Sequence, residues 1–137
     1  LTCPSGWSIT EQSDLDGAGY YLSVEKTGLD ESGLLVITWI NGELDSNDYL
    51  ALIKEEYSNQ TVLNNLQFAP AKKGSFGGIS ALECSFKFST GGIKHRGVVY
   101  IFLKDGKTFS ITRQEALEDI SKNKKGFESI ESTFKVK

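Results

Sequence analysis

The spacing of apolar positions changes several times along this chain, and each change predicts an element. From 19 to 27 the alternation is clean. Tyr20, Leu22 and Val24 fall on one side and Tyr21, Ser23 and Glu25 on the other, as in a half-buried strand. Before it, residues 7–11 extend from the turn Pro4-Ser5-Gly6-Trp7; after it, Thr27-Gly28-Leu29-Asp30-Glu31-Ser32-Gly33 reads as a turn. Residues 34–40 are apolar on both parities, which predicts a central strand covered on both faces and stopped by Asn41-Gly42. Asp45 or Ser46 then caps a helix running to about Asn59, with Asp48 in its first turn. Tyr49, Leu52, Ile53 and Tyr57 form its predicted buried stripe.

The second half is again read from alternation and turns. Residues 64–69 predict a short edge strand ended by Pro70. In 80–88, Leu82, Cys84, Phe86 and Phe88 share one face, and Thr90-Gly91-Gly92 turns the chain back into a doubly apolar strand over 98–103. Asp105-Gly106 makes a further hairpin into 108–112, with Phe109 and Ile111 inward. Thr112-Arg113-Gln114-Glu115 matches a capping box and predicts a last helix from Arg113. Ala116, Leu117 and Ile120 form its stripe, Gly126 interrupts it, and Phe127, Ile130 and Phe134 resume it. Hairpin connections in the order β-β-β-α-(β)-β-β-β-α predict an α+β fold, a mainly antiparallel sheet with helices packed on its faces. Trp39 and Phe86 are expected to be mostly buried. With no repeat or linker, a single domain over 1–137 is expected, long enough to bury a core.

Composition narrows the possibilities. The net charge of −3 is dispersed, and Lys72-Lys73, Lys94-His95-Arg96 and Lys122 to Lys125 do not alternate with exposed aromatics, so no nucleic-acid partner is expected. No apolar run approaches the ~18 residues of a transmembrane helix. The chain starts at Leu1 and contains no Met, and Leu1-Thr2-Cys3 is only loosely like a lipoprotein cleavage site; a processed or trimmed chain is the expectation.

Candidate chemistry is sparse. Cys84 and the single histidine, His95, could be drawn with Glu83 or Asp105 as a thiol-hydrolase set, but parity turns Cys84 toward the core. Asp14-Leu15-Asp16-Gly17-Ala18-Gly19 resembles part of a calcium loop, yet Ala18 stands at a ligand position and a strand follows, so a turn is the better reading. Lys73-Gly74-Ser75-Phe76-Gly77-Gly78 lacks the ending of a phosphate loop and reads as a flexible lead-in to a hairpin. Asn59-Gln60-Thr61 is a glycosylation sequon. Cys3 and Cys84 allow either one disulfide or two thiols, and neither belongs to a zinc spacing. No metal and no cofactor are expected, and no catalytic residue is assigned.

The element order, the opening Pro4-Ser5-Gly6-Trp7 and the closing Phe127-x-x-Ile130-x-Ser132-Thr133-Phe134 resemble the PsbP-like superfamily across nearly the whole chain. That superfamily includes an extrinsic photosystem subunit, a Ran-GTPase-binding import factor and small bacterial exported or lipoprotein domains. It shares a scaffold and no common active site. The resemblance implies a non-enzymatic domain that docks on a protein partner, outside the cytoplasm as a periplasmic, secreted or lipid-anchored protein. The alternative is a small-molecule or lipid binder with a cavity between helix and sheet. Recognition is expected in polar, Gly-containing loops at 14–19, 29–33 and 71–78, with Asp14, Asp16, Lys72, Lys73 and Phe76 as binding residues.

Overall fold

The computed structural model describes residues 3–27 and 32–135. Its strands are β1 (Trp7–Asp14), β2 (Gly19–Lys26), β3 (Leu34–Asn41), β4 (Asn64–Phe68), β5 (Lys72–Phe76), β6 (Ile79–Thr90), β7 (Ile93–Lys104) and β8 (Lys107–Ala116). Helix α1 (Ser46–Ser58) links β3 to β4, and helix α2 (Ile120–Thr133) follows β8 through a short 3-10 turn, Leu117–Asp119. The eight strands form one sheet in the order β1-β2-β3-β8-β7-β6, with β4 and β5 both on the outer edge of β6, and every pairing is antiparallel. Four hairpins turn on two residues with positive φ: Asp16-Gly17, Gly77-Gly78, Gly91-Gly92 and Asp105-Gly106. This is the turn chemistry whose twist matches flanking strands. The α+β architecture and the strands centred on 19–27, 34–40, 80–88 and 98–103 are as the periodicity predicts.

Each sheet face carries one helix and its own core. On the α2 face, Val24, Leu35, Ile37, Tyr100, Phe109 and Ile111 pack under Phe127, Ile130 and Phe134. On the α1 face, Leu50 and Ile53 pack on Cys84, Phe86, Phe88, Val99 and Ile101, residues of β6 and β7. The two ends of the chain meet in the first core, where the Trp7 ring lies edge-on to Phe127 at 5.0 Å.

Several expectations need correction. The capping-box residues Thr112 to Glu115 stay in β8, because that strand is sandwiched between β3, paired as far as Gln114, and β7, paired to its end at Ala116. Arg113 is therefore a strand residue; it lies over Tyr100 and Phe127 and pairs with Glu131 at 3.8 Å. The final helix begins at Ile120, Leu117 is exposed, and α2 passes through Gly126 without a break. A Cβ at Gly126 would fall inside the Trp7 indole, so this glycine allows close packing and does not end the helix. The segment 71–78 holds β5, paired with β6, instead of a flexible lead-in. On α1 the buried residues are Leu50 and Ile53, while Leu52 is 56% exposed. Asp45 is the cap, accepting from the Asp48 amide at 3.0 Å. Phe86 is buried as expected. Trp39 is only half-buried, since α2 does not reach it and Tyr20 stacks on it at 4.8 Å instead.

The two cysteines are free thiols. Cys3 packs against the α2-side core and Cys84 sits in the α1-side core, so a bridge would have to cross the sheet. The Cys84 thiol donates to the Ala69 carbonyl at 3.2 Å, and burial raises its pKa. With an Ellman-type reagent on the folded protein, Cys84 should react on the order of 100-fold more slowly than Cys3, because its attack awaits local opening. Comparable rates, or an intact mass lacking two hydrogens, would contradict this arrangement.

A buried polar network fastens the start of β3 to the start of α2. Asp119 Oδ2 accepts from the Ser32 amide at 2.9 Å and hydroxyl at 2.7 Å, while fully buried Asn123 donates to the Ser32 carbonyl at 2.7 Å and to Glu115 at 3.2 Å. The Ser32 hydrogen bonds hold the Asp119 carboxyl below the ordinary carboxylate range. A depressed folded value means stabilisation that is full above the unfolded pKa, about 4, and lost as pH falls through the folded one. Asp119→Asn should therefore lower Tm clearly at pH 7, and the gap to the parent should close as acid titrates Asp119. A gap constant with pH would refute the electrostatic part of that account.

Candidate functional site

The sheet is far wider than the helix that lies on its α1 face. Strands spaced about 4.8 Å apart make a surface roughly 30 Å across, whereas a helix with its side chains covers about 10 Å. Burial of Leu50 and Ile53 holds α1 over β6 and β7. Its tyrosines reach one strand further: Tyr49 Oη lies 3.4 Å from Ser110 Oγ, and Tyr57 donates to Gln114 Oε1 at 3.4 Å, both on β8. Beyond β8 the cover of the helix is only partial. The outward residues of β3 on this side, Leu34, Val36, Thr38 and Ile40, are only half-buried. The sequence expectation that 34–40 is covered on both faces is thus half met; Leu35 and Ile37 are sealed under α2, and the opposite parity lies open.

The opening is a groove of about 580 Å³ between α1 and the β2–β3–β8 part of the sheet. Its floor is the apolar row Leu34, Val36 and Ile40, roughly 20 Å long from the strand rise. Ser110, Thr112 and Thr38 set a ribbon of hydroxyls in that floor, and Leu52, Glu56 and Tyr57 form the helix wall. Leu15 and Leu44, both partly exposed, stand among its lining, and Tyr21 borders it from β2.

Burial, aided by Glu56, pushes the Tyr57 phenol up to about 12, and burial with the negative charges of Glu11 and Glu25 raises Tyr21 as well. Both phenols stay protonated donors at neutral pH. Glu56 lines the groove, strand register puts Glu11 and Glu25 on the Tyr21 face of β1 and β2, and no Lys or Arg stands among the groove's described lining residues. The cation of α1, Lys54, reaches Phe68 on β4, toward the opposite edge of the sheet. Chemically the groove offers apolar surface, hydroxyl donors and an acidic border. It presents no thiol and no imidazole among its described residues.

The residues singled out in the sequence do not converge there. Asp14 and Asp16 belong to the tight β1–β2 hairpin, where Asp14 Oδ1 accepts from the Gly17 amide at 2.9 Å. Lys72 and Lys73 lie on β5 at the far edge of the sheet, and Lys72 pairs with Glu83 at 3.5 Å. Phe76 is fully buried against Tyr100 and Phe134, so it belongs to the core and is withdrawn from any surface role. Of the segment 29–33, Leu29, Asp30 and Glu31 lie outside the described residues. Cys84 and His95 do not meet: they stand opposite Val99 and Phe88 in the β6–β7 ladder, about 13 Å apart along the strands, and His95 stacks on Phe88 at 5.0 Å. Among the described residues no three His, Cys, Asp or Glu side chains form a metal-holding cluster. None of the described helices is long and apolar enough to cross a membrane. The doubly apolar run at 34–40 is the one sequence signal that pointed at the groove.

No protein-family profile matches this chain, and no curated protein sequence matches it. Solved structures do. One is LpqN, described as involved in cell envelope biogenesis of Mycobacterium tuberculosis, with a TM-score of 0.60 at 15% identity over 97% of this chain and 79% of that one. Another is the cyanobacterial PsbP (CyanoP) of Synechocystis sp. PCC 6803, with a TM-score of 0.58 at 16% identity over 98% of this chain and 84% of that one. The chain has a PsbP-like α+β fold.

Proposed function

We propose that this chain is a non-catalytic recognition domain, working outside the cytoplasm, that docks a protein partner in the groove between α1 and β3. One observation carries the reading: half of a central strand's face, the row Leu34, Val36 and Ile40, is left without a covering element. Apolar surface of this kind on a rigid scaffold is an interaction site by default. The groove follows β3 from Leu34 to Ile40, roughly 20 Å, a length that suits an extended segment better than a small ligand. Its fold-mate in mycobacterial cell envelope biogenesis is consistent with an extracytoplasmic setting. The fold carries no shared active site, so likeness alone brings no chemistry with it.

The docking face differs from the polar loops expected from sequence, and the two can be separated. Leu44 and Leu52 line the groove yet are exposed, so Leu44→Glu with Leu52→Glu should change stability by less than about 1 kcal/mol. The same double variant should abolish specific co-purification of the partner from native cells. Lys72→Glu with Lys73→Glu, on the opposite edge, should leave it intact. The reverse pattern would transfer the docking face to β5.

A further inference from the structure

We infer that the segment received by the groove is basic and amphipathic: apolar side chains lie on Leu34, Val36, Ile40 and Leu52, and lysine or arginine side chains meet Glu11, Glu25 and Glu56. This rests on the docking reading above and adds the class of partner.

The inference comes from charge placed around apolar surface. Alternation along β1 and β2, with the registers Glu11↔Ser23 and Ser13↔Tyr21, puts Glu11, Tyr21 and Glu25 on one face. Glu25 continues through Leu34 to Gln114 across β2, β3 and β8, at the Tyr57 end of the groove. Glu56 enters from the helix wall. Glu56 therefore lines the apolar floor directly, Glu11 and Glu25 stand on the same face of β1 and β2, and no Lys or Arg is among the groove's described lining residues. An anionic amphiphile would meet repulsion at this border, and a neutral one would leave the three charges unused. A cationic side chain finds carboxylates in a groove that Tyr21 and Tyr57 also line. Arg113 lies on the other face, over Tyr100 and Phe127, and Lys54, on the groove's own face, turns away to Phe68 on β4. Complementary charge across such an interface sets specificity and encounter rate more than affinity, so the effect grows at low salt.

The test uses the whole chain and two short fluorescent amphipathic peptides sharing one leucine face, with lysine on the polar face of one and glutamate on that of the other. By fluorescence anisotropy at low salt the lysine peptide should bind, and the glutamate peptide should bind about tenfold more weakly or worse. Combining Glu11→Gln, Glu25→Gln and Glu56→Gln should weaken the lysine peptide about tenfold, and so should raised salt. Leu44→Ser with Leu52→Ser, which removes apolar contact without adding charge, should also weaken it. Equal binding of both peptides, or an unchanged affinity in the glutamine variant, overturns the inference. So does tighter capture of a zwitterionic single-chain lipid than of the lysine peptide, or concentration-dependent dimerisation that Leu52→Glu abolishes. Loss of the native partner with Leu44→Glu and Leu52→Glu but not with the three glutamines would leave groove docking standing and remove only the basic class.

Discussion

Phe76→Ala should destabilise the protein by about 3–5 kcal/mol and lower Tm by roughly 10–15 °C, the usual range for emptying a buried phenylalanine site in a chain of this size. The residue is fully buried, 5.2 Å from the Tyr100 ring and 5.4 Å from Phe134, so removing its ring opens a cavity between sheet and helix. In a protein of ordinary stability that is a third or more of the total. Three and four positions earlier on the same short strand, Lys72→Glu with Lys73→Glu should shift stability by under about 1 kcal/mol, because Lys72 is solvated and its ion pair with Glu83 is a surface one. Thermal unfolding of both variants separates the core role of Phe76 from a surface role. A near-neutral Phe76→Ala would mean that β5 is not packed as described.

Gly126→Ala reverses the usual sign of its class. In an open helix the change gains about 1 kcal/mol, since glycine is a poor helix former. Here the new methyl would occupy the Trp7 indole, against Nε1, Cε2 and Cζ2, and the ring has little room to yield, being packed on Phe127 and close to Gly33 and Asn123. Net destabilisation of about 2–3 kcal/mol is expected, the cost of overpacking less the propensity gain. Pairing it with Trp7→Leu should recover part of the loss, so a double-mutant cycle should show clear coupling. A stabilised Gly126→Ala protein would show that Trp7 does not rest on α2.

The legible parts of this fold are those written in local residues. Gly91-Gly92 and Asp105-Gly106 announce hairpins because only residues tolerant of positive φ make a two-residue turn, and the alternation over 80–88 fixes which side faces which core. Other features depended on neighbours. Thr112 to Glu115 satisfies a capping box on paper, but β7 pairs the whole segment and β3 pairs it as far as Gln114, and long-range pairing wins over a local cap. Lys72-Lys73-Gly74-Ser75-Phe76 carries one apolar side chain and so hides a strand, until β6 provides the edge it pairs with. The groove was half visible. A run apolar on both parities says that both faces of β3 avoid water; it cannot say whether a helix or a partner supplies the second cover. That depends on where Leu50 and Ile53 draw α1, two strands away.

Site-specific photo-crosslinking in native cells bears most directly on the groove as a docking face. A photo-reactive side chain at Leu52, on the groove wall, should give one discrete protein adduct, and the same group at Glu128, exposed on α2 across the sheet, should give none. Adducts from Glu128 or from the β5 edge, with Leu52 silent, would contradict the groove as the site of docking.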